Sequence, residues 1–406
     1  MPVNLEAPGP LAPVAGVRLG SAEAAIKKPG RQDLLVIELA AGTRAAGVFT
    51  QNAFCAAPVQ VCRERLGASS AIRALLINAG NANAATGAQG LANARETSAA
   101  VAAAIGCEPS QVLPFSTGVI GQQLPVARMI DAIPKAVAGL QADAWNAAAR
   151  AIMTTDTIPK GATRTVSTSQ GPVTVTGIAK GVGMIYPNMA TLLAFIGTDA
   201  RLTADATKDL LNHAVAASFN SATVDGDTST NDSCVLFATA QIGSRDVDAA
   251  DADYPLIADA VTAVCIELAQ AIVRDGEGAT RFITIDVEGA TTVDEARQVA
   301  YSIAHSPLVK TAMFAGDANW GRLAMAIGKA GVPGLDPARV DLWLDAVRLL
   351  EGGEPHPDYR EELGSAVVAK PEFTIRVGLG RGTAKTRVWT CDFSYDYVKI
   401  NAEYRT

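Results

Sequence analysis

Apolar and polar positions follow two periods along the chain, and together these predict both strands and helices. Short apolar or alternating runs predict strands at "DLLVIELA", "AGVFT", "AIRALLIN" and "QVLPFST", and again at "TLLAFIG", "CVLFATA" and "RFITIDVEG". Helical spacing predicts a helix in "LANARETSAAVAAAIG", which ends at Gly106 as a left-handed residue, and a long helix in "YPLIADAVTAVCIELAQAIVRDG". The Pro- and Gly-rich residues 1–30 predict loop and sheet edge.

Boundary signals refine these elements. Thr203 is expected to cap a helix, and Thr292 is expected to form a capping box with Glu295. Two stretches predict hairpins. One is "TRTVSTSQGPVTVTGIAKG", which carries a central glycine, and the other is the alternating segment "EFTIRVGLGRGTAKTRVWTCDFSYDYVKIN" near the C-terminus.

The order of these elements predicts the fold class. Helical patterns also cover residues 126–140 and 142–153, with a break expected at Pro134. Strands and helices are interleaved without a regular strand–helix–strand repeat, and many strands alternate. We therefore predict a mixed α/β protein of the α+β type, with largely antiparallel sheets layered with helices. No linker or internal repeat marks a domain boundary.

Composition excludes several classes of function. The chain has 406 residues, 49% of them hydrophobic, and a net charge of −7 without a basic run. This balance argues against nucleic acid or an anionic membrane as a partner and favours a small molecule. Six cysteines and three histidines form no CxxC or HxxxH pattern, so no metal site is predicted. No secretory signal is seen, and no apolar stretch is expected to approach the roughly eighteen residues that span a bilayer. A soluble, cytoplasmic protein is predicted.

Three motifs match ligand-binding loops only weakly. "GLGRG" lacks the context of a dinucleotide loop, and "AIGKAG" lacks the spacing of a P-loop. In "DGDTSTND", Asp225, Asp227, Ser229 and Asn231 alternate as in a calcium loop, but Thr230 stands where glycine is needed and no glutamate closes the loop. A polar loop that lines a site is the favoured interpretation, and a calcium site is the alternative.

Thr191 is the candidate nucleophile, since the chain shows no GxSxG motif and no cysteine or histidine in a catalytic setting. It follows the turn-like "YPNMA" at the start of an apolar run. If the turn strains the Ala190–Thr191 peptide, the hydroxyl can attack the preceding carbonyl, and hydrolysis of the ester frees a terminal threonine. Its α-amine, with an ordinary pKa of about 7.7–8.0, can then act as the base for its own hydroxyl. A threonine that merely starts a strand is the alternative.

Acyl chemistry also requires donors for an oxyanion. "FSTGVIG" offers the hydroxyl of Thr117 and the unobstructed amide of Gly118. A plain Gly-rich loop after a strand is the alternative for these two residues.

The chain resembles the ornithine acetyltransferase family, the bifunctional glutamate N-acetyltransferases of the cyclic arginine pathway. The resemblance runs over nearly the whole chain, and the block that ends at Thr191 is highly specific. The motifs that carry it are, in order, "INAGNANAATG", "STGVIG", "KGVGMIYPNMAT", "DGDTSTNDS", "GEGATRF", "GDANWGR" and "YVKINAEYRT".

The resemblance implies an N-terminal-nucleophile-like enzyme that cleaves itself between Ala190 and Thr191. Residues 1–190 would form an α chain and residues 191–406 a β chain, associated as an α2β2 heterotetramer. Thr191 would carry acetyl from N-acetylornithine to glutamate in a ping-pong reaction. Thr117 and Gly118 match the family's oxyanion hole. The positions that match its substrate-binding residues are Thr155, Lys180, Thr191, Glu277, Asn401 and Thr406. No metal or organic cofactor is implied, and use of acetyl-CoA as a co-substrate is left open.

The charges of the two substrates agree with these assignments. Both substrates carry an α-carboxylate, so a cation such as Lys180 is expected in the site. Glu277 or the terminal carboxylate of Thr406 can receive the ammonium of ornithine, and Glu277 can alternatively assist proton transfer. Two competing functions use the same residues differently. A hydrolase would pass the acyl group from Thr191 to water, and a binding protein would keep the fold with Thr191 uncleaved.

Overall fold

The computed structural model describes residues 2–186 and 192–403. They form two compact units. The larger unit consists of Ala7–Asn220 and Asp227–Ile272, and the smaller unit of described residues within Met1–Glu6, Ser221–Gly226 and Val273–Thr406. This division differs from the predicted boundary at residues 190 and 191, which concerns cleavage products rather than compact units and stays a prediction.

The strands are numbered in chain order. They are β1 (Val17–Ala22), β2 (Leu34–Leu39), β3 (Arg44–Phe49), β4 (Ala74–Asn81), β5 (Val112–Val119), β6 (Lys160–Thr168), β7 (Gly171–Lys180), β8 (Leu193–Leu202), β9 (Ser233–Val247), β10 (Phe282–Ala290), β11 (Asp341–Leu344), β12 (Val347–Glu351), β13 (Glu354–Pro355), β14 (Glu372–Gly378) and β15 (Ala384–Cys391).

The α-helices are numbered in the same way. They are α1 (Ala57–Ala68), α2 (Gly87–Ile105), α3 (Val126–Ala138), α4 (Trp145–Ala151), α5 (Ala204–Ala217), α6 (Tyr254–Arg274), α7 (Val293–Ala304), α8 (Pro307–Ala315), α9 (Trp320–Gly328), α10 (Glu361–Val368) and α11 (Tyr395–Ala402).

The larger unit has a core between two sheets. One sheet has the order β1-β2-β4-β5 and the other the order β3-β9-β8-β7-β6. Their inner faces share one apolar cluster, in which the rings of Phe115 on β5 and Phe195 on β8 pack edge to face with centroids 5.0 Å apart. The outer face of the first sheet packs on α2 and α3. On the second sheet, a Cβ at Gly177 of β7 would lie 2.9 Å from Val264 of α6, so helix and strand approach closely. The layers are therefore helix, sheet, sheet and helix.

The smaller unit places helices on one face of a mixed sheet. The strand order is β13-β12-β11-β14-β10-β15. Residues of β10, β11, β14 and β15 form one apolar cluster with α7 to α10. The other face carries charged side chains, such as Arg387, which donates to both oxygens of Asp286 at 2.7 and 2.8 Å.

The predicted fold class is confirmed. Each sheet contains one parallel pair, namely β4 with β5, β8 with β9, and β10 with β14, and the remaining pairs are antiparallel. Local predictions hold as well. Gly106 follows α2 with a φ of +74°, Thr203 accepts from the Ala206 amide at 3.1 Å, and β6 with β7 form the predicted hairpin.

The predicted C-terminal hairpin is wrong. β14 and β15 do not pair with each other, because β10 lies between them, parallel to β14 and antiparallel to β15. The last part of the segment is the helix α11. Alternation revealed the strands but could not identify a partner that lies far away in the sequence.

Three smaller predictions are also corrected. α3 continues through Pro134, because four apolar side chains of this helix are buried against the sheet and outweigh the missing amide. Only half of the predicted capping box forms: Thr292 accepts from the Glu295 amide at 3.1 Å, but the Glu295 carboxylate accepts from the hydroxyl and amide of Thr291. Finally, α6 has 21 residues and a mean hydropathy of 1.9 over its most apolar window, which is enough to cross a membrane by length and composition. Since 56% of that window is buried within the protein, α6 also fits a core helix.

Candidate active site

Thr117 and Gly118 lie together near the end of β5, beside the end of β4. In this parallel pair Gly118 is opposite Gly80. Gly118 has a φ of +137°, and a Cβ there would lie 2.2 Å from the carbonyl carbon of Gly80. Only glycine fits this position, and its amide is consequently free of side-chain obstruction, as the oxyanion-hole prediction requires. The assignment of these two residues to an oxyanion hole stays a prediction.

The polar loop after Asp227 supports the same strand end from inside the protein. Asn231 is 7% exposed, and its amide donates to the carbonyls of Ala82 and Ser116 at 2.6 and 2.8 Å. Ser116 directly precedes Thr117, so Asn231 holds the backbone that presents the predicted oxyanion donors. Within residues 2–186 and 192–403, no three His, Cys, Asp or Glu side chains are grouped so as to hold a metal ion.

Lys180 ends β7 and extends toward Thr117. Its Nζ donates to the Thr117 hydroxyl at 3.3 Å and lies 3.9 Å from a carboxylate oxygen of Asp156. Asp156 also accepts from the buried Lys160 Nζ at 2.8 Å and from the Gly181 amide at 2.8 Å. The Asp156 carboxylate therefore lies close to both Lys160 and Lys180. Lys180 also contacts Thr117, a predicted oxyanion-hole residue.

The charges of Asp156, Lys160 and Lys180 interact strongly. Burial by itself would raise the pKa of Asp156, but the ammonium groups of Lys160 and Lys180 and the bond from the Gly181 amide lower it far below its usual range. Asp156 is therefore ionised, and it compensates the positive charge of both lysines in an interior where their side chains are at most 9% exposed.

Sequence reasoning missed Asp156 and Lys160. The two residues are four positions apart in "TDTIPKG", but no helix or motif marks this loop. Thr155, a predicted substrate-binding residue, is exposed and directly precedes Asp156. The structure therefore brings Thr117, Gly118, Thr155 and Lys180 to one region of the larger unit.

Glu277 and Asn401, the other described residues predicted to bind substrate, meet in the smaller unit. The Asn401 amide donates to Glu277 Oε2 at 3.0 Å and to the carbonyl of Tyr397 at 3.0 Å. Tyr397 in turn lies with its hydroxyl 3.4 Å from Asp225 Oδ2. Asp225 of the polar motif thus lies one side chain away from the Glu277–Asn401 pair.

Two further titratable groups of the smaller unit are shielded from solvent, Lys310 fully and His305 in part. Thr223 Oγ1 lies 3.0 Å from His305 Nε2, and burial together with the charges of Lys310 and Lys329 lowers the pKa of His305 to about 4. Burial also lowers the pKa of Lys310. His305 is accordingly neutral at physiological pH.

The cleavage residues Ala190 and Thr191, and the terminal Thr406, lie outside the described residues. The carbonyl of Leu192, the residue after Thr191, accepts from the Ser233 amide at 2.9 Å. Leu193 then pairs with Lys180 across β7 and β8. The chain is consequently anchored in the sheet directly after Thr191.

Comparisons with known proteins agree with the resemblance. The sequence model of the ArgJ family matches residues 18–406. The chain is 57% identical over 396 residues to the arginine biosynthesis bifunctional protein ArgJ of Methylococcus capsulatus (strain ATCC 33009 / NCIMB 11132 / Bath), and the match covers 98% of this chain and 97% of that protein.

Two solved structures are also similar. The arginine biosynthesis bifunctional protein argJ of Bacillus halodurans is 37% identical, with a TM-score of 0.49, and the match covers 51% of this chain and 97% of the solved one. The ornithine acetyltransferase of Mycobacterium tuberculosis, solved with ornithine, is 37% identical with a TM-score of 0.42, over 46% and 97% of the two chains.

Proposed function

Because this chain belongs to the ArgJ family, we propose that it is a glutamate N-acetyltransferase of arginine biosynthesis that moves acetyl from N-acetylornithine to glutamate. The observation that carries the proposal is the match to a bifunctional ArgJ protein over 98% of the chain. The ornithine bound to the similar enzyme of M. tuberculosis is consistent with this choice of substrate.

Autoproteolysis prepares the nucleophile. The Thr191 hydroxyl attacks the Ala190 carbonyl, the peptide C–N bond breaks, and the α-amine of Thr191 takes up the proton. Water then hydrolyses the resulting ester and regenerates the hydroxyl. In the ladder between β7 and β8, Lys180 is opposite Leu193, two residues after Thr191.

Transfer then proceeds in two half-reactions. The Thr191 amine accepts the hydroxyl proton as the oxygen attacks the acetyl carbonyl of N-acetylornithine. Thr117 and Gly118 donate hydrogen bonds to the oxyanion. The C–N bond breaks, the proton passes to the leaving amine, and ornithine departs. The amine of glutamate attacks the acetyl-Thr191 ester in the same way, and no metal or organic cofactor takes part.

The polar residues divide the remaining tasks. Lys180, next to Thr117 and held by Asp156, provides positive charge for an α-carboxylate or for the developing oxyanion, and Thr155 lines the same region. Glu277, held by Asn401, receives the ammonium of ornithine. These roles follow from charge complementarity.

The five-stranded sheet supports lasting association of the α and β chains. β3, β6 and β7 precede residue 190, whereas β8 and β9 follow it, and the order is β3-β9-β8-β7-β6. Two strand ladders, β3 with β9 and β7 with β8, thus join the chains after cleavage. We propose an α2β2 assembly that works in the cytoplasm.

Two measurements test the proposal. On a denaturing gel, the wild-type chain should give two fragments of similar size, Thr191→Ala a single inactive chain, and Thr191→Ser, which keeps a hydroxyl, two fragments again. An active but uncleaved wild-type chain contradicts the proposal. In the second measurement, N-acetylornithine is supplied with and without glutamate. Acetylglutamate should form at the expense of free acetate, whereas release of ornithine that is insensitive to glutamate indicates a hydrolase.

A second activity is suggested by the word "bifunctional" in the name of the M. capsulatus relative. We propose that acetyl-CoA also acetylates Thr191, so that glutamate is acetylated without N-acetylornithine. An assay with acetyl-CoA and glutamate alone tests this, and a rate no higher than that of Thr191→Ala refutes it.

A further inference from the structure

Lys310 is a buried lysine that the proposed chemistry does not use. It belongs to α8 in the smaller unit and is 1% exposed. Its Nζ donates to the Thr390 hydroxyl at 3.0 Å and to the carbonyl of Cys391, and it lies 4.5 Å from the ring centre of Phe393. The hydrogen bonds described for this amine are thus with neutral groups at the end of β15.

Burial of this amine has an energetic cost. Transfer of an ammonium group out of water is unfavourable, and burial lowers the pKa of Lys310 accordingly. A methionine would fill much of the same space without that cost. The lysine contributes instead through the acceptors that its amine holds and through its charge near Asp392 and Asp225.

Lys310 holds the segment Thr390–Ser394 from two sides. While its side chain binds Thr390 and Cys391, its own carbonyl accepts from the Phe393 amide at 3.2 Å. The end of β15 and the turn that leads into α11 are thereby both attached to one residue of α8.

The same segment fixes the turn that carries Glu277. Asp392 accepts from the amides of Thr280 and Arg281, each at 2.8 Å, and from the Thr280 hydroxyl at 2.5 Å. The Ser394 hydroxyl donates to the carbonyl of Gly278, the residue after Glu277, at 2.6 Å.

Ser394 also begins the helix that carries Asn401. Its hydroxyl oxygen accepts from the Tyr397 amide at 3.4 Å and so caps α11. A Cβ at Gly278 would lie 2.4 Å from the Tyr397 nitrogen, so turn and helix are in direct contact. Segment 390–394 therefore sets the position of both partners in the Glu277–Asn401 hydrogen bond.

We propose that Lys310 is a positioning residue for substrate binding, acting through segment 390–394 to hold Glu277 and Asn401 in register. The inference rests on the proposed function, in which this pair binds the amino-acid part of N-acetylornithine. The described hydrogen bonds of the Lys310 amine go to Thr390 and Cys391 and not to this pair.

The test compares two acetyl donors in the full cleaved enzyme. N-Acetylornithine requires the Glu277–Asn401 pair, whereas p-nitrophenyl acetate reports on the Thr191 nucleophile without an ammonium to place. Lys310→Met should lower kcat/KM for N-acetylornithine by about tenfold, chiefly through KM, and should leave ester hydrolysis within about twofold. Lys329→Met, an exposed lysine of the same unit, is the matched control and should change neither rate.

A double-mutant cycle separates positioning from mere stability. In the Asn401→Ala background, Lys310→Met should cause little further loss, because the two changes disable the same contact. Thermal unfolding is measured in parallel. Lys310→Gln retains a donor, should lie between wild type and Lys310→Met, and provides the measurement if the methionine variant does not fold.

Several results would overturn the inference. They are an unchanged KM for N-acetylornithine despite a lowered melting temperature, equal losses with both donors, or additive effects with Asn401→Ala. A wild-type enzyme that hydrolyses the ester but never acetylates glutamate refutes the proposed function itself and the inference with it. If instead the wild type acetylates glutamate and Lys310→Met is unaffected, only the inference about Lys310 is refuted.

Discussion

Replacement of Asp156 by asparagine should destabilise the larger unit severely. The substitution keeps the shape of the side chain but removes its charge. Asp156 and Lys160 are 1% and 0% exposed in their side chains, with 2.8 Å between oxygen and nitrogen, and Lys180 lies 3.9 Å away. Asp156→Asn therefore removes a buried negative charge that lies close to two lysine amines in the interior.

The size of the effect follows from these distances. With an effective dielectric constant of about 20, unit charges attract by about 6 kcal/mol at the 2.8 Å separation and by about 4 kcal/mol at the 3.9 Å separation. Relaxation and deprotonation of a lysine recover part of this loss. Removal of one partner from a buried pair typically costs about 3–5 kcal/mol, and we expect the free energy of unfolding to fall by that amount.

The assay is urea unfolding of Asp156→Asn and wild type at neutral pH. Glu267→Gln is the matched control, because Glu267 pairs with Arg164 at 2.6 Å on the surface, where the two side chains are 48% and 44% exposed. The control should lose less than about 1 kcal/mol. Since the pKa of Asp156 is lowered on folding, its contribution is complete above the unfolded value of about 3.9 and declines as the pH falls below it.

Two outcomes refute this reasoning. If Asp156→Asn costs no more than Glu267→Gln, the buried carboxylate does not compensate the lysines as its contacts indicate. If the wild-type advantage is as large at pH 2 as at pH 7, ionisation of Asp156 is not the source of the stability.

Three further predictions concern single contacts. Gly118→Ala should lose acetyl transfer and more than about 1 kcal/mol of stability, measured by activity and urea unfolding, because its Cβ would lie 2.2 Å from Gly80 and its φ is +137°. In wild type, the free energy of unfolding should fall by up to about 3 kcal/mol as the pH decreases from about 6.5 toward 4, because His305 takes up a proton in the unfolded chain before it does so in the folded form, whose pKa is about 4. His305→Phe should reduce this pH dependence. An equal slope in both proteins contradicts this prediction. Thr203→Ala should lower the free energy of unfolding by about 1 kcal/mol through loss of the bond from the Ala206 amide, and an unchanged urea midpoint would show that the cap contributes nothing.

Features that depend on neighbouring residues could be predicted from the sequence. The left-handed Gly106, the cap at Thr203 and the hairpin of β6 and β7 are determined by short-range sequence and were expected. The apolar run "LLVIEL" of β2 was predicted as a strand, and both of its faces are buried, with Leu35 and Ile37 in one cluster and Leu34 and Val36 in the other. Pairing between strands that are distant in the sequence could not be predicted, because alternation shows which face of a strand is buried but not which strand lies beside it.

The candidate site shows the same limit. Resemblance to a family supplied Lys180 and Thr117 individually, but their contact depends on the placement of β7 and β5 in different sheets. Asp156 could not be found, because its importance arises only when β7 brings Lys180 next to it. Lys310 had one weak signal, a lone lysine in the apolar helix "PLVKTAMFA".

The insertion of β10 between β14 and β15 has a consequence for synthesis of the protein. Both neighbours of β10 come later in the chain, so its two edges have no native partner when residue 290 is made. The ribosome adds about 5–20 residues per second, so the edges stay open for about 5–20 s before residue 391 is in place. Open edges of an apolar strand favour pairing with other chains. We therefore expect nascent or truncated chains that end between residues 290 and 372 to aggregate and to require chaperones, whereas in the folded protein β14 and β15 pair with both edges of the same strand.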